Sequence, residues 1–255
     1  MTRRLTLLAA AAILAPAPAR AQVPDTFKNL EVLPDTISRD HLVGVMRGFA
    51  DGLGVRCGYC HVHEEGQPFS QWPFDKDDKA TKRKARFMLR MVEYLNGERL
   101  PGLPKAADAE REDPPVRVTC HTCHRGVPVP RSLEEILVLT AGRAGVDSAV
   151  AEYGHLRERY YGRGAYDFGE GTLIDAGRTL AARGDPAGAR RLLELNLDQF
   201  PKSIPTWLAI AGVEVTRGDT ARALDALRKA EDLNPGEREA GQIRREIERL
   251  GGEPR

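Results

Sequence analysis

All four cysteines of this 255-residue chain fall in two copies of one five-residue pattern. The copies lie in the stretches "GVRCGYCHVH" and "VTCHTCHRG", and each has the order Cys-x-x-Cys-His. Their members are Cys57, Cys60, His61, Cys120, Cys123 and His124. Two thiols and an imidazole at this spacing suit three kinds of site, namely a zinc centre, a redox dithiol and a covalently attached haem.

The spacing within each copy favours haem. Two thiols three positions apart can each form a thioether with one vinyl group of a porphyrin, and the histidine that follows can then bind the iron. We therefore predict two covalently bound c-type haems. The predicted thioether residues are Cys57, Cys60, Cys120 and Cys123, and the predicted histidine ligands are His61 and His124.

The two other kinds of site fit the chain less well. A four-cysteine zinc site normally has its pairs roughly 15–20 residues apart, whereas 59 residues separate Cys60 from Cys120. A thioredoxin-like dithiol requires a βαβ context that the sequence lacks. Structural disulfides are common in exported proteins, but a ring closed over two residues is rarely one of them.

The N-terminus predicts export. The stretch "MTRRLTLLAAAAILAPAPARAQ" has two arginines, an apolar run from Leu5 to about Pro16, and then Ala19-Arg20-Ala21. These are the three parts of a secretory signal peptide, and the run is shorter than the roughly 20 residues that span a bilayer. We expect cleavage near Ala21 and a periplasmic mature chain without a transmembrane segment. The 38 basic and 37 acidic residues nearly balance, so no nucleic-acid partner is indicated.

A helix is predicted ahead of each motif. "ISRDHLVGVMRGFADGLG" has apolar residues at helical spacing, with Ser38 as the N-cap and Gly54 as the C-terminal glycine. "TKRKARFMLRMVEYLN" carries an apolar stripe and much of a basic run from Lys79 to Arg90. Two interpretations of the basic run are open. It is a solvated helix face, or its positive charge attracts haem propionates or an acidic partner.

The second half of the chain predicts helical repeats with a period of 34 residues. "RGDPAGARRLLELNLDQFP" aligns with "RGDTARALDALRKAEDLNP", so that Gly184 matches Gly218 and Asp185 matches Asp219. A helix-turn-helix period of this length that ends in proline is typical of tetratricopeptide repeats. We predict a mainly α protein with little regular sheet, in which a haem-packed domain precedes a tetratricopeptide-like solenoid. The predicted divisions are a signal peptide at 1–21, a dihaem domain at 22–131 and a helical domain at 132–255, with repeats at about 170–203 and 204–237.

A low-spin electron carrier needs a sixth ligand on each iron, and methionine is a common choice in c-type cytochromes. After the initiator the chain has only Met46, Met88 and Met91, and all three lie on the helices that precede the motifs. Methionine on an apolar helix face is ordinarily core filler, but two irons and three methionines favour ligation. We predict Met46 for the first haem and Met88 for the second, with Met91 as the alternative to Met88.

Together, these segments resemble a known family. "NLEVLPDTISRDHLVGVMRGFADGLGVRCGYCHV", "KRKARFMLRMVEYLN" and "VTCHTCHRGVPVP" are similar to the cytochrome subunit of photosynthetic reaction centres, over about residues 27–131. The resemblance implies c-type haems arranged in two pairs, of which this chain has the equivalent of one pair. It also implies methionine ligation at Met46, eleven residues before Cys57. In the family's A-R-x-M-L-x-M helix the first methionine binds the iron, which selects Met88 over Met91.

From the motifs and this resemblance we predict a periplasmic dihaem cytochrome that is an electron carrier and not an enzyme. Its expected partners are periplasmic or membrane-bound redox proteins, docked in part through the helical repeats. Two haems rather than four, and repeats in place of a second pair, weigh against the photosynthetic role that the resemblance suggests. The alternatives are a dihaem enzyme such as a peroxidase with one open iron, and a haem-bearing scaffold or redox sensor.

Overall fold

A computed structural model of the protein describes residues 26–103 and 116–254. The predicted signal peptide, residues 1–21, lies outside the described residues. Within them the chain forms helices and loops without a β-strand, and the predicted mainly α fold class is confirmed. The α-helices of this part are α1 Arg39–Leu53, α2 Ala80–Tyr94, α3 Cys120–His124, α4 Leu133–Ala144, α5 Val146–Tyr160, α6 Glu170–Ala182, α7 Pro186–Gln199, α8 Ile204–Thr216, α9 Thr220–Asp232 and α10 Glu237–Arg249.

The chain divides into two compact units, Met1–Cys120 and His121–Arg255. The first unit contains α1 and α2, the second contains α4 to α10, and the short helix α3 begins at the division. The limits 22–131 and 132–255 for the two domains stay predictions. In the part of the chain that the structure describes, no helix has the length and apolar character needed to cross a membrane.

Helix α1 begins and ends where its capping residues predict. The Ser38 hydroxyl accepts a hydrogen bond from the His41 N–H at 3.3 Å, which satisfies one of the free donors of the first turn. Gly54 ends the helix in the left-handed conformation, with φ of 63°, where a side chain would be strained. Both predicted caps are confirmed.

Helix α2 continues beyond the segment that the sequence predicts. Its α-helical part starts at Ala80, and the chain then forms a π-helix over Leu95–Arg99 and a 3-10 helix over Leu100–Gly102. The Leu100 N–H bonds to the Leu95 carbonyl, five residues back, as a π-helical turn requires. π-helical turns are rare and occur frequently at functional sites.

The second unit has the predicted 34-residue period in its structure. Helices α6 and α8 begin at residues 170 and 204, and helices α7 and α9 at residues 186 and 220. Asp185 and Asp219 cap α7 and α9, accepting hydrogen bonds from backbone N–H groups at 2.8 and 3.0 Å. Gly184 and Gly218 precede these caps with φ of 83° and 74°. The recurring bounds and caps make this unit an array of helical repeats.

The second unit is built around a continuous apolar core. Its largest fully buried apolar side chains are Leu133, Leu137, Leu173, Leu192, Leu193, Ile210, Leu227, Ile243 and Ile247. One charged group also lies inside: the Glu214 carboxylate is buried and pairs with Arg190, with Arg217 at 3.7 Å. A buried carboxylate needs such partners because desolvation of an unpaired charge is costly.

The first unit buries far fewer of its apolar side chains than the second unit does. Among its described residues Leu42 is the only buried apolar side chain, at 6% exposure. Other apolar side chains of α1 and α2, such as Met46, Phe49 and Met88, are half-buried. This unit therefore derives little stability from a core of its own side chains, in contrast to the repeat unit.

Candidate functional site

The first Cys-x-x-Cys-His motif folds as one tight turn. Residues Cys57–Tyr59 form a 3-10 helix, and the His61 N–H donates to the Cys57 carbonyl at 3.0 Å. Side chains at positions i, i+3 and i+4 of a helical turn lie on one side of it. The turn thus brings the Cys57 and Cys60 thiols and the His61 imidazole to the same side.

The two thiols of this turn are free and differ in exposure. Cys57 is exposed and Cys60 is half-buried. Burial raises the pKa of Cys60, while a hydrogen bond with the Thr81 side chain and the positive charge of Lys79 act in the opposite direction. The Cys60 thiol therefore stays protonated at neutral pH.

The His61 ring is kept uncharged. Its Nδ1 atom is buried and has no hydrogen-bond partner of normal geometry among the described residues. The ring packs edge-on against Phe74, with 5.0 Å between the ring centroids. Burial, and then the positive charge of Lys82, lower the pKa of His61 to about 4, although the backbone of Phe74 acts in the opposite direction. An uncharged imidazole is the form that binds a metal.

Aromatic side chains extend the surface beside the first motif. His63 stacks on Trp72 with ring centroids 4.0 Å apart and planes 6° apart. Phe69 packs against Trp72 and Phe74, with centroid distances of 5.1 and 5.0 Å. A Cβ at Gly58 would lie 2.5 Å from the His63 Nε2 atom, so the first x of this motif has room only for glycine unless His63 moves.

Two basic side chains of α2 bond within their own unit rather than to solvent. Arg86 contacts Asp77 at 2.7 Å, Glu31 at 3.0 Å and the Asn29 carbonyl at 2.9 Å, and Lys82 contacts Asp77 at 2.9 Å. The Arg86 guanidinium, followed by Asn29 and Lys82, holds the pKa of Asp77 well below its usual range. The Arg86 and Lys82 side chains are only 13% and 11% exposed, so the interpretation as a solvated face is wrong for these two residues.

The second motif lies on helix α3. Cys120, Cys123 and His124 occupy positions i, i+3 and i+4 of one helical turn, and neither cysteine is in a disulfide. The His124 Nδ1 atom lies 3.0 Å from the Val127 carbonyl oxygen. A histidine that donates from Nδ1 to a backbone carbonyl keeps the lone pair of Nε2 for a metal.

The residues of both turns fit a covalently bound haem. Each turn offers two cysteines at the thioether spacing, neither of them in a disulfide, and one imidazole beside them. His61 is uncharged at neutral pH, and the Nδ1 of His124 has a backbone acceptor, so each ring meets the requirements of an iron ligand. The half-buried apolar side chains of the first unit supply a surface that suits a porphyrin.

The methionines lie on the helices that the sequence predicts. Met46 on α1 and Met88 on α2 are half-buried, whereas Met91 is 37% exposed. Iron ligation by Met46 and Met88 stays a prediction. The choice of Met88 over Met91 likewise stays a prediction.

Three side chains that contact the motif segments were missed by sequence reasoning. Lys79 and Thr81 bond to backbone carbonyls of the first motif, and Asn96 pairs with the backbone of Val118 just before the second motif. The only sequence signal was an asparagine at the end of an apolar helical stripe, a position where asparagine often bonds to nearby backbone. The partners are about 20 residues away, and no local pattern encodes such pairs.

Comparisons with known proteins agree with this site. Residues 35–131 match the family model of the photosynthetic reaction centre cytochrome C subunit. The photosynthetic reaction center cytochrome c subunit of Rubrivivax gelatinosus is 34% identical over 90 residues, which are 34% of this chain and 23% of that protein. The subunit of Thermochromatium tepidum is 32% identical over 90 residues, again 34% of this chain and 21% of that protein. The subunit of Roseobacter denitrificans is 31% identical over 128 residues, which are 49% of this chain and 32% of that protein.

The alignments span between about a fifth and a third of the length of these relatives. No solved structure matches the chain. Two Cys-x-x-Cys-His turns, each with a histidine directly after its second cysteine, are the site of a c-type cytochrome. More particularly, residues 35–131 are similar to the photosynthetic reaction centre cytochrome c subunit family, and the resemblance noted in the sequence is confirmed over this segment.

Proposed function

We propose that this protein is an exported dihaem c-type cytochrome that transfers electrons between redox proteins of the periplasm. The observation that carries the proposal is the pair of Cys-x-x-Cys-His turns within the matched segment, each with two cysteines outside any disulfide and a histidine on one side. The relatives are cytochrome subunits of reaction centres, and electron transfer is the function that this kinship supports.

In this proposal the thiols of Cys57, Cys60, Cys120 and Cys123 form thioethers to two haems. His61 and His124 bind the irons, with Met46 and Met88 as the sixth ligands. Each haem supplies reversible one-electron chemistry at its iron. No side chain of this chain makes or breaks a bond with a substrate, so the protein is a carrier and not an enzyme.

The protein's own residues prepare the two histidines for this role. Burial and the Lys82 charge keep His61 uncharged without the help of the metal. The Val127 carbonyl fixes the orientation of the His124 ring through Nδ1. A ligand ring that is oriented before the metal binds loses little conformational freedom on coordination.

Intact-mass analysis tests the proposal. The protein is produced with its N-terminal segment in a host that matures c-type cytochromes, and the expected mass is that of the chain after cleavage near Ala21 plus two haems. Replacement of Cys57 and Cys60 by alanine should remove one haem, and replacement of Cys120 and Cys123 should remove the other. The native ferric protein should be low-spin and should not bind cyanide readily, since rapid cyanide binding would favour the peroxidase-like enzyme.

We also propose that the helical repeats dock a partner redox protein. A groove of about 410 Å³ lies among α7, α8 and α9, and it is lined by Arg190, Glu194, Trp207, Ile210, Arg222, Asp225 and Ala226. A half-buried tryptophan with arginine neighbours is a composition typical of binding hot spots. The test compares Trp207→Ala with Leu139→Ala, an exposed apolar residue of α4 outside the groove, in electron exchange with a membrane fraction of the native organism. Only the first variant should exchange electrons more slowly.

A further inference from the structure

The first turn of α2 holds the middle of the first motif. The Thr81 hydroxyl donates to the Tyr59 carbonyl at 2.6 Å, and the Lys79 ammonium donates to the Gly58 carbonyl. Gly58 and Tyr59 are the two residues between the cysteines. The 3-10 turn ends at Tyr59, and the last carbonyls of a helical turn have no partner within it. The side chains of Thr81 and of Lys79, the N-cap residue of α2, supply the missing donors.

The other end of the same helix holds the segment that enters the second motif. The Asn96 side-chain amide pairs with both backbone groups of Val118: Oδ1 accepts from the Val118 N–H at 2.8 Å, and Nδ2 donates to the Val118 carbonyl at 2.8 Å. Val118 lies two residues before Cys120. Asn96 therefore acts toward this segment as a neighbouring β-strand would, with a donor and an acceptor at matching positions.

The π-helical turn supplies the residue that makes this second contact. Asn96 lies within Leu95–Arg99, where the backbone hydrogen bond spans five residues rather than the four of an α-helix. Such a turn changes the direction in which the following side chains leave the helix. The less favourable π-helical geometry thus occurs where the Asn96 side chain bonds to the backbone of Val118.

We propose that α2 and its π-helical extension form one brace that positions the first haem motif and the segment leading to Cys120, with Thr81 as the positioning residue of the first and Asn96 of the second. Thr81 and Asn96 are 15 residues apart, which corresponds to about 22 Å along a helix axis. A helix is stiff over this length, so the two anchored backbone points keep a fixed separation. The inference rests on the proposed function for its haems, but the contacts themselves do not depend on it.

In this proposal a different residue of the brace acts on each haem. Loss of the Thr81 contact should disturb the first haem and leave the second unchanged, and loss of the Asn96 contacts should do the reverse. A merely structural contribution of either residue would lower the stability of the whole unit and affect both haems alike. This crossed pattern is therefore specific to positioning.

The experiment uses the full-length holoprotein with Thr81→Val, Asn96→Ala and the control Glu98→Ala. Glu98 is an exposed residue of the same π-helical turn. A redox titration follows the two haems, whose waves are assigned with the two variants that lack both cysteines of one motif. Thr81→Val should shift only the midpoint potential of the first haem, Asn96→Ala only that of the second, and Glu98→Ala neither.

Hydrogen exchange provides a second measurement that does not depend on the haem potentials. In Asn96→Ala the Val118 amide loses its acceptor, and its exchange rate should rise at least roughly fivefold, the effect of one ordinary hydrogen bond. The rate should stay unchanged in Thr81→Val and Glu98→Ala. Equal shifts of both haems in either variant, or no change at Val118 in Asn96→Ala, would overturn the brace. Absence of haem from the wild-type protein would instead overturn the proposed function.

Discussion

The Nδ1 atom of His124 lies 3.0 Å from the carbonyl oxygen of Val127, only three residues further along the chain. The turn that brings them together has two residues with positive φ, Arg125 at 50° and Gly126 at 83°. Val127 is itself buried, at 3% exposure, so its carbonyl is held in place by packing. The Arg-Gly pair after the second motif thus has a local physical role, which is to orient the histidine of the motif.

Substitution of Gly126 tests this turn. Gly126→Ala places a Cβ in a left-handed conformation at a cost of about 1 kcal/mol, and it should move the Val127 carbonyl away from His124. The expected result is a lower unfolding temperature together with an altered spectrum of the second haem only. Gly142→Ala is the matched control, because Gly142 lies within α4 with open space around its Cβ position. That variant should gain roughly 0.5–1 kcal/mol, so a loss of stability in both would contradict the account.

The ion pairs around Asp77 predict a pH dependence of stability. The carboxyl has a pKa lowered by Arg86, Asn29 and Lys82, so its contribution is complete above its unfolded pKa of about 3.9 and is lost as the pH falls below that value. The wild type should therefore lose stability between about pH 5 and pH 2. In Asp77→Asn this contribution is absent at every pH, and the difference from wild type should disappear in acid. Denaturant unfolding at a series of pH values measures it.

Asp78→Asn serves as the control for this prediction, since Asp78 is the exposed neighbour in the same loop. Its unfolding curve should follow that of the wild type at each pH. If Asp77→Asn and Asp78→Asn behaved alike, the Asp77 ion pairs would not be the cause of the acid sensitivity.

Replacement of single methionines identifies the sixth ligands. Met46→Leu should remove the thioether ligand of the first haem, and Met88→Leu that of the second, because leucine fills a similar volume without a donor atom. Each variant should lose half of the thioether-to-iron charge-transfer absorption and show a lower potential for one haem. Met91→Leu is the control and should retain the full absorption. A loss in Met91→Leu with none in Met88→Leu would reverse the assignment.

The packed core of the repeat unit predicts that replacing a buried leucine by alanine lowers stability much more than replacing an exposed one. Leu193 is fully buried, and Leu193→Ala should lower the free energy of unfolding of this unit by about 2–5 kcal/mol. Leu139→Ala, at an exposed position of α4 with 39% exposure, should cost less than about 1 kcal/mol. Thermal unfolding followed by circular dichroism compares the two. Similar losses in both variants would argue against the packed core described for the unit.

Local signals in the sequence predicted much of this fold. Ser38 and Gly54 bounded α1 because capping depends on residues within one turn of the helix end. The 34-residue period recurs in the helix bounds because matching residues, such as Asp185 and Asp219, cap matching helices. The two motifs were recognisable because five adjacent residues carry all of the attachment chemistry.

Long-range contacts were not predictable in the same way. The pairing of Asn96 with Val118 joins residues 22 positions apart, and the π-helical turn that allows it has no composition of its own. For the basic run of α2 the sequence leaves open a solvated face and an attraction for propionates or an acidic partner, since a charge pattern alone does not reveal that Arg86 and Asp77 are partners. The pairing of each methionine with an iron likewise depends on how helices approach a cofactor, which periodicity does not encode.

The mass of the intact exported protein tests the central claim most directly. Production in a host that matures c-type cytochromes, followed by denaturing mass spectrometry, reports only covalently attached groups. We predict two haems attached to the wild-type chain and one haem attached to each variant that lacks the cysteines of one motif. A wild-type mass without any attached haem, or an unchanged haem count in both cysteine variants, would contradict it.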